Sequence, residues 1–246
     1  MQTQANFTSA TAANGNVNPA WDFAATWVMY QGETYPLLRG YLTPLTITVN
    51  NATEVYNGVP FAGGNGLTYS VVPNPAYLFN ATVYGGSSQG AVNVAGSPYV
   101  LTSAAYSNQQ GYLITFVPGT LSITAAPLTV TGETAANKVY DGTTAVTLSG
   151  GVLGGVVAAD AANLTLTDAG VFVSKNAGTG VAVTVADILG GTAAGNYTLT
   201  QPAGITANIT PLAVTVTGEA AANKVYDATT TATLSGGCLL YTSRCV

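Results

Sequence analysis

The sequence is poor in the residues that most catalytic and nucleic-acid-binding sites use. Its 246 residues include only 5 Lys or Arg, 10 Asp or Glu, 2 Cys and no His, whereas about 25% of an ordinary globular protein is charged. Nucleic-acid binding needs clustered Lys and Arg, and the net charge of −5 opposes it. Without His, and without a carboxylate pair beside a group that tunes its pKa, general acid–base catalysis has no candidates. We therefore expect neither an enzyme, nor a cofactor, nor a nucleic-acid partner.

Long apolar segments are also missing. No run of about 18 apolar residues is present to form a membrane-spanning helix, and the residues after Met1 lack the basic and apolar regions of a signal peptide. We expect that this segment does not insert into a membrane and that it is a fragment of a longer protein.

Two stretches of the chain repeat each other. The residues Ala136-Asn137-Lys138-Val139-Tyr140-Asp141 recur as Ala222-Asn223-Lys224-Val225-Tyr226-Asp227, at an offset of 86 residues, and both copies continue to Leu-Ser-Gly-Gly. The repeat signature consists of Lys138, Val139, Tyr140, Asp141 and Gly142 in one copy and of Lys224, Val225, Tyr226 and Asp227 in the other. This period is too long for one turn of a solenoid, which is usually ~20 to 50 residues, and it suits a small domain.

Pro-Leu pairs at 44–45, 127–128 and 211–212 mark the module boundaries. We divide the chain into an upstream segment (1–43), a diverged module (44–126), a complete module (127–210), a truncated second copy (211–237) and a tail (238–246). The tail contains Cys238 and Cys245 and departs from the repeat, so we interpret it as non-native and expect no disulfide there.

Alternating apolar and polar residues predict β-strands. Within 127–210 we expect strands near 128–131, 138–141, 145–149, 163–167, 171–174, 181–185 and 197–209, the last interrupted at Pro202. Short strands separated by Gly-rich turns are typical of a sandwich. The sequence therefore predicts an all-β fold of tandem small β-sandwich modules of about 85 residues. The alternative is a β-grasp-like module in which residues 156–162 form one short helix.

The motifs Asn-Lys-Val-Tyr-Asp-Gly-Thr-Thr and Gly-Asn-Tyr-Thr-Leu-Thr-Gln-Pro, at 137–144 and 195–202, resemble those of the YDG repeat of bacterial surface proteins. Residues 44–126, with Val55-Tyr56-Asn57-Gly58, are similar to the related MBG module, whose relatives include mucus-binding adhesins. Residues 1–43, with Trp21-Asp22-Phe23 and Gly32-Glu33-Thr34-Tyr35-Pro36, resemble the end of a GLUG-repeat region in filamentous-haemagglutinin-type adhesins.

This resemblance implies a stalk or spacer segment of a large bacterial adhesin, displayed outside the cell and exported in the parent protein through an outer-membrane transporter. Two alternatives remain open. One is a glycan- or mucin-binding module centred on 44–126, with contacts from Tyr56, Tyr69, Tyr84, Tyr99 and Tyr112, since aromatic faces stack on sugars. The other is self-association for aggregation or biofilm, because the scarcity of charge leaves strand edges unprotected.

Metal binding has weak support in the sequence. Asp141, Asp160, Asp168 and Asp187 offer oxygen ligands, but they lack the spacing of an EF-hand or an Asp-rich repeat. We predict no metal site.

Overall fold

The computed structural model describes residues 21–241 and 244–245, and over these residues the all-β prediction is confirmed. The helical content of this part is limited to three 3₁₀ turns, at Arg39–Tyr41, Ala158–Asp160 and Ala194–Asn196. The helix considered over 156–162 is therefore only the single turn Ala158–Asp160. No helix among the described residues has the length and apolar character needed to span a membrane.

The strands are short and numerous. Those that begin before residue 130 are β1 (Trp27–Val28), β2 (Leu37–Leu38), β3 (Thr43–Val49), β4 (Ala52–Val55), β5 (Leu67–Tyr69), β6 (Leu78–Phe79), β7 (Tyr84–Gly85), β8 (Tyr99–Ser103), β9 (Tyr106–Ser107), β10 (Tyr112–Val117), β11 (Gly119–Thr124) and β12 (Ala126–Thr131). Those that follow are β13 (Thr134–Ala135), β14 (Lys138–Val139), β15 (Leu148–Ser149), β16 (Val152–Gly154), β17 (Thr165–Thr167), β18 (Gly170–Phe172), β19 (Gly178–Val185), β20 (Ile188–Gly190), β21 (Tyr197–Thr200), β22 (Thr206–Thr210), β23 (Thr215–Thr217), β24 (Ala220–Ala221), β25 (Leu234–Ser235), β26 (Cys238–Tyr241) and β27 (Arg244–Cys245).

These strands form two compact units that differ from the sequence modules. The first unit contains the described residues up to Leu128 together with Gly155–Thr165 and Leu189–Thr200. The second contains Thr129–Gly154, Leu166–Ile188 and the described residues from Gln201 onward. Two segments of the module 127–210 therefore belong to the same unit as the module 44–126.

The first unit is built on two sheets, in the orders β10-β3-β5 and β4-β11-β8-β7. Burial alternates along strand β3, because Leu45, Ile47 and Val49 are buried while the residues between them are more exposed. Leu45 and Ile47 pack with Ala105 and Tyr112 in the core of this unit. Burial of each large apolar side chain stabilises the fold by about 1.5–3 kcal/mol.

The second unit has a sheet in the order β14-β22-β19-β18, whose core contains Phe172, Val183, Ala207 and Ile209. Its pairings repeat those of the first unit. Strand β22 runs parallel to β14 and antiparallel to β19, as β11 runs parallel to β4 and antiparallel to β8. The 44–126 and 127–210 modules thus share this strand order.

Within 127–210 the expected strands correspond to β12, β14, β15, β17, β18, β19, β21 and β22, the last two separated around Pro202. The structure adds β13, β16 and β20, which have only two or three residues each. Strands β16 and β20 end at Gly154 and Gly190, and glycine indicates a turn in a sequence. The expectation about the tail is wrong in one respect, because Cys238 is disulfide-bonded.

Candidate functional site

The repeat signature forms a hydrogen-bonded turn after β14. The Lys138 Nζ atom lies 2.8 Å from Asp141 Oδ1 and donates to the Thr143 and Ala145 carbonyl oxygens at 3.0 Å. Asp141 Oδ1 also accepts the Thr143 N–H at 2.8 Å. These bonds, first from Lys138 and then from Thr143, lower the pKa of Asp141 to about 2. Gly142 has a φ of 76°, in the left-handed region that favours glycine. We call this arrangement the signature turn.

The signature turn recurs in the truncated copy. Lys224 Nζ lies 2.8 Å from Asp227 Oδ1, and Asp227 accepts the Thr229 N–H at 3.0 Å. Ala228 occupies the place of Gly142 and adopts a φ of 59°, so alanine takes up the left-handed conformation here. The Tyr226 side chain is 90% exposed. The turn therefore forms from local bonds and does not depend on burial of its tyrosine.

The tyrosine of the signature has a different environment in each module. The Tyr140 N–H donates to the Thr210 carbonyl at 2.8 Å, and the Tyr56 N–H donates to the Thr124 carbonyl at 2.8 Å, so these two tyrosines are structurally equivalent. Tyr140 is half-buried on the core of the second unit. Its hydroxyl has no hydrogen-bond partner within the part of the chain that the structure describes. Tyr56 is 6% exposed.

Within the first unit, Tyr56 forms a buried cluster with Asp160 and Tyr197, which we call the tyrosine–aspartate cluster. The hydroxyls of both tyrosines donate to the same carboxylate oxygen, Asp160 Oδ2, each at 2.7 Å. The two rings pack edge to face with their centroids 5.3 Å apart. Burial, followed by the bond to Asp160, raises the pKa of Tyr56 to about 12. Asp160 and Tyr197 come from the YDG-like module, and Tyr56 comes from the module before it.

An amide pair lies in the same unit and joins the same two modules. Asn196 is buried, and its Oδ1 atom accepts the Val94 N–H at 2.9 Å while its Nδ2 atom donates to Asn93 Oδ1 at 3.0 Å. A Cβ atom at Gly58 would lie 2.8 Å from Val157 Cγ1, so glycine permits the close approach of residue 157. Tyr56 and Gly58 in the 44–126 module, and Asn196 and Tyr197 in the next module, are therefore docking residues.

The five tyrosines predicted as glycan contacts are divided by their burial. Tyr56 and Tyr112 are 6% and 7% exposed, and the Tyr112 hydroxyl accepts the Asn74 N–H at 2.6 Å. Because both rings are buried, Tyr56 and Tyr112 cannot stack on a sugar, and the prediction that they are glycan contacts does not hold. Tyr69, Tyr84 and Tyr99 are half-buried, and for these three the prediction stands as made.

A group of three carboxylates lies in the second unit. The ligand oxygens of Glu133, Asp168 and Asp187 are within 4.8 Å of one another. Both Glu133 oxygens and Asp187 Oδ2 are buried without a hydrogen-bond partner. Burial, with the charges of Asp187 and Asp168 next, raises the pKa of Glu133 to about 7. We call this group the acidic cluster. The sequence suggested Asp168 and Asp187 among four possible oxygen ligands, for which we predicted no metal site, and it gave no reason to include Glu133.

Comparison with known families identifies residues 124–204 as a YDG domain. The chain is thus a YDG-containing protein, and the matched range includes the signature turn, Asp160, Asn196 and Tyr197. Comparisons with curated proteins and with solved structures give no match.

Proposed function

We propose that this chain is a stalk segment of a large, surface-displayed bacterial adhesin of the filamentous-haemagglutinin type, with no catalytic role. The observation that carries the proposal is the tyrosine–aspartate cluster, in which Tyr56 of one module donates to a buried carboxylate of the next module. A spacer must transmit position and force from module to module. A buried hydrogen bond to a carboxylate between modules supports that task, because breaking it removes one of the two donors of a group that water does not readily reach.

The equivalence of Tyr56 and Tyr140 extends the proposal to a longer array. Tyr140 borders a surface cavity of about 440 Å³, lined by Tyr140, Asn176, Ala177, Pro211, Leu212 and Val214. A further complete YDG module would place its own aspartate beside the Tyr140 hydroxyl, as Asp160 lies beside Tyr56. At the repeat offset, the counterpart of Asp160 in this chain is position 246, where the sequence has valine in the divergent tail.

An extended chain tests this idea. Residues 211–246 are replaced by a copy of residues 125–210, which places an aspartate at position 246 by the repeat offset of 86 residues. In the extended chain we expect Tyr140→Phe to lower the stability by about as much as Tyr56→Phe does. In the original chain the same change should have little effect. Equal and small effects of Tyr140→Phe in both chains would refute docking by the signature tyrosine.

A binding screen separates the spacer from the glycan-binding alternative. The whole chain is tested against glycans and mucins, both as a single copy and multimerised, since multivalency reveals weak contacts. A spacer should show no saturable binding. Saturable binding that is lost when Tyr69, Tyr84 and Tyr99 are changed to alanine would replace the proposal with a glycan-binding module.

A further inference from the structure

The acidic cluster brings together three loops that are distant in the sequence. Glu133 lies between β12 and β13, Asp168 between β17 and β18, and Asp187 between β19 and β20. A Cβ atom added at Gly151 would lie 2.9 Å from Asp168 Oδ1, so the chain also approaches this carboxylate closely. Three negative groups that are this close repel one another unless a proton or a cation lies between them.

No ion pair of the described residues offsets this charge. Over the described residues the two ion pairs are Lys138–Asp141 and Lys224–Asp227, and neither involves the acidic cluster. Asp187 is only 6% exposed, and its Oδ2 atom has no donor. Both oxygens of Glu133 lack donors as well. A bound cation, or a proton shared between two of the carboxylates, would satisfy these buried oxygens.

The loops hold Asp187 in a fixed position. Its Oδ1 atom accepts the Ala169 N–H at 2.9 Å. Its own N–H donates to Gln201 Oε1 at 2.7 Å, and its carbonyl accepts from Gln201 Nε2 at 2.9 Å. Because Oδ1 and both backbone groups are engaged, Oδ2 is the ligand atom that remains.

We propose that Glu133, Asp168 and Asp187 bind one Ca²⁺ ion. Carboxylate oxygens are the ligands of hard cations, and two oxygens bound to one Ca²⁺ at about 2.4 Å are at most about 4.8 Å apart. The separations in the acidic cluster fall within that limit. Mg²⁺ fits less well because it retains several water molecules, and the oxygens of Glu133 and the Oδ2 atom of Asp187 are closed to solvent. Zn²⁺ sites are usually built with Cys or His, and neither is present in the acidic cluster.

Binding of ⁴⁵Ca²⁺ to the whole chain, measured by equilibrium dialysis at neutral pH, tests the proposal. We expect one saturable site per chain. Glu133→Gln and Asp187→Asn should each weaken binding by roughly tenfold or more, because each removes one of three charged ligands. Glu219→Gln is the matched control, since Glu219 is the exposed counterpart of Glu133 in the truncated copy; it should leave binding unchanged. Circular dichroism of each variant verifies that it folds.

A thermal measurement distinguishes Ca²⁺ binding from the competing explanation, in which Glu133 and Asp187 share a proton. With Ca²⁺ bound to the folded state only, the melting temperature of the original chain rises with Ca²⁺ concentration, and that of Glu133→Gln rises much less. The proposal is overturned if the original chain binds no ⁴⁵Ca²⁺ up to about 10 mM, well above the ~1 mM range of weak extracellular sites. It is equally overturned if Glu133→Gln binds as tightly as the original chain.

Discussion

Replacing Tyr56 by phenylalanine removes one hydrogen bond from the tyrosine–aspartate cluster and little else. The ring remains, so its edge-to-face contact with Tyr197 at 5.3 Å between centroids is kept. Asp160 Oδ2 then accepts from Tyr197 alone instead of from two hydroxyls. The change therefore measures what the hydroxyl of the signature tyrosine contributes when the next module is docked on it.

The size of the destabilisation expected for Tyr56→Phe depends on the acceptor, which is the carboxylate of Asp160. A hydrogen bond to a charged group contributes about 1.5–3 kcal/mol, and Asp160 is buried, with 9% exposure, so water does not readily replace the lost donor. We expect Tyr56→Phe to lower the free energy of unfolding by about 2 kcal/mol. For a chain of this length that loss corresponds to a fall in melting temperature of about 4–8 °C.

Tyr140→Phe is the matched control. It removes the same hydroxyl from the equivalent position, where the hydroxyl has no partner among the described residues, and its effect should stay within about 0.5 kcal/mol. Urea unfolding followed by circular dichroism and by tyrosine fluorescence gives both values. Coincidence of the two signals shows whether a single transition is an adequate description.

A double-mutant cycle of Tyr56→Phe with Asp160→Asn measures the interaction energy between these two side chains. We expect a coupling energy of about 1–2 kcal/mol between the two residues. If Tyr56→Phe costs no more than Tyr140→Phe, or if the coupling energy is near zero, the cluster does not hold the modules together and the proposed spacer loses its main support.

Two further changes have defined outcomes. Gly142→Ala should lower the free energy of unfolding by about 1 kcal/mol. The cause is the backbone alone, since Gly142 has a φ of 76° and an added Cβ atom would meet nothing within 4 Å. Gly40→Ala is the control in the same urea titration, because Gly40 does not have a positive φ. The free energy of unfolding should also fall as the pH rises from about 10 to about 12. In the folded state the pKa of Tyr56 is raised to about 12, whereas in the unfolded chain a tyrosine has a pKa near 10, so ionisation favours the unfolded chain over this interval. Stability curves of the original chain and of Tyr56→Phe that run parallel across that interval would contradict this.

The fold was predictable where the sequence alternates over several residues. Strand β22 was predicted because Ala207 and Ile209 are apolar and their neighbours are polar, and both are buried in the structure. The alanine-rich segment 156–162 was harder, because alanine favours helix. The structure forms only the turn Ala158–Asp160, where the Asp160 carboxylate accepts hydrogen bonds from two tyrosines.

The sites were less predictable than the strands because their residues are distant in the sequence. Tyr56 and Asp160 are 104 residues apart, and no local pattern relates them. The acidic cluster combines three loops, and Glu133 gave no signal beyond its recurrence as Glu219. All three carboxylates of the acidic cluster lie between strands. Only the strand order of the folded chain brings them together.

The two copies of the signature assign different roles to its residues. Lys224 and Asp227 form the turn even though Tyr226 is 90% exposed, so the bonds of this turn come from the lysine and the aspartate and not from the tyrosine side chain. Tyr56 is buried beside Asp160 in a module where asparagine replaces the aspartate and no lysine precedes the turn, so docking does not require the ion pair. The turn and the docking contact are therefore separable. The three positions recur together because each module must form its own turn and, in the array that we propose, must also present a tyrosine to the module that follows.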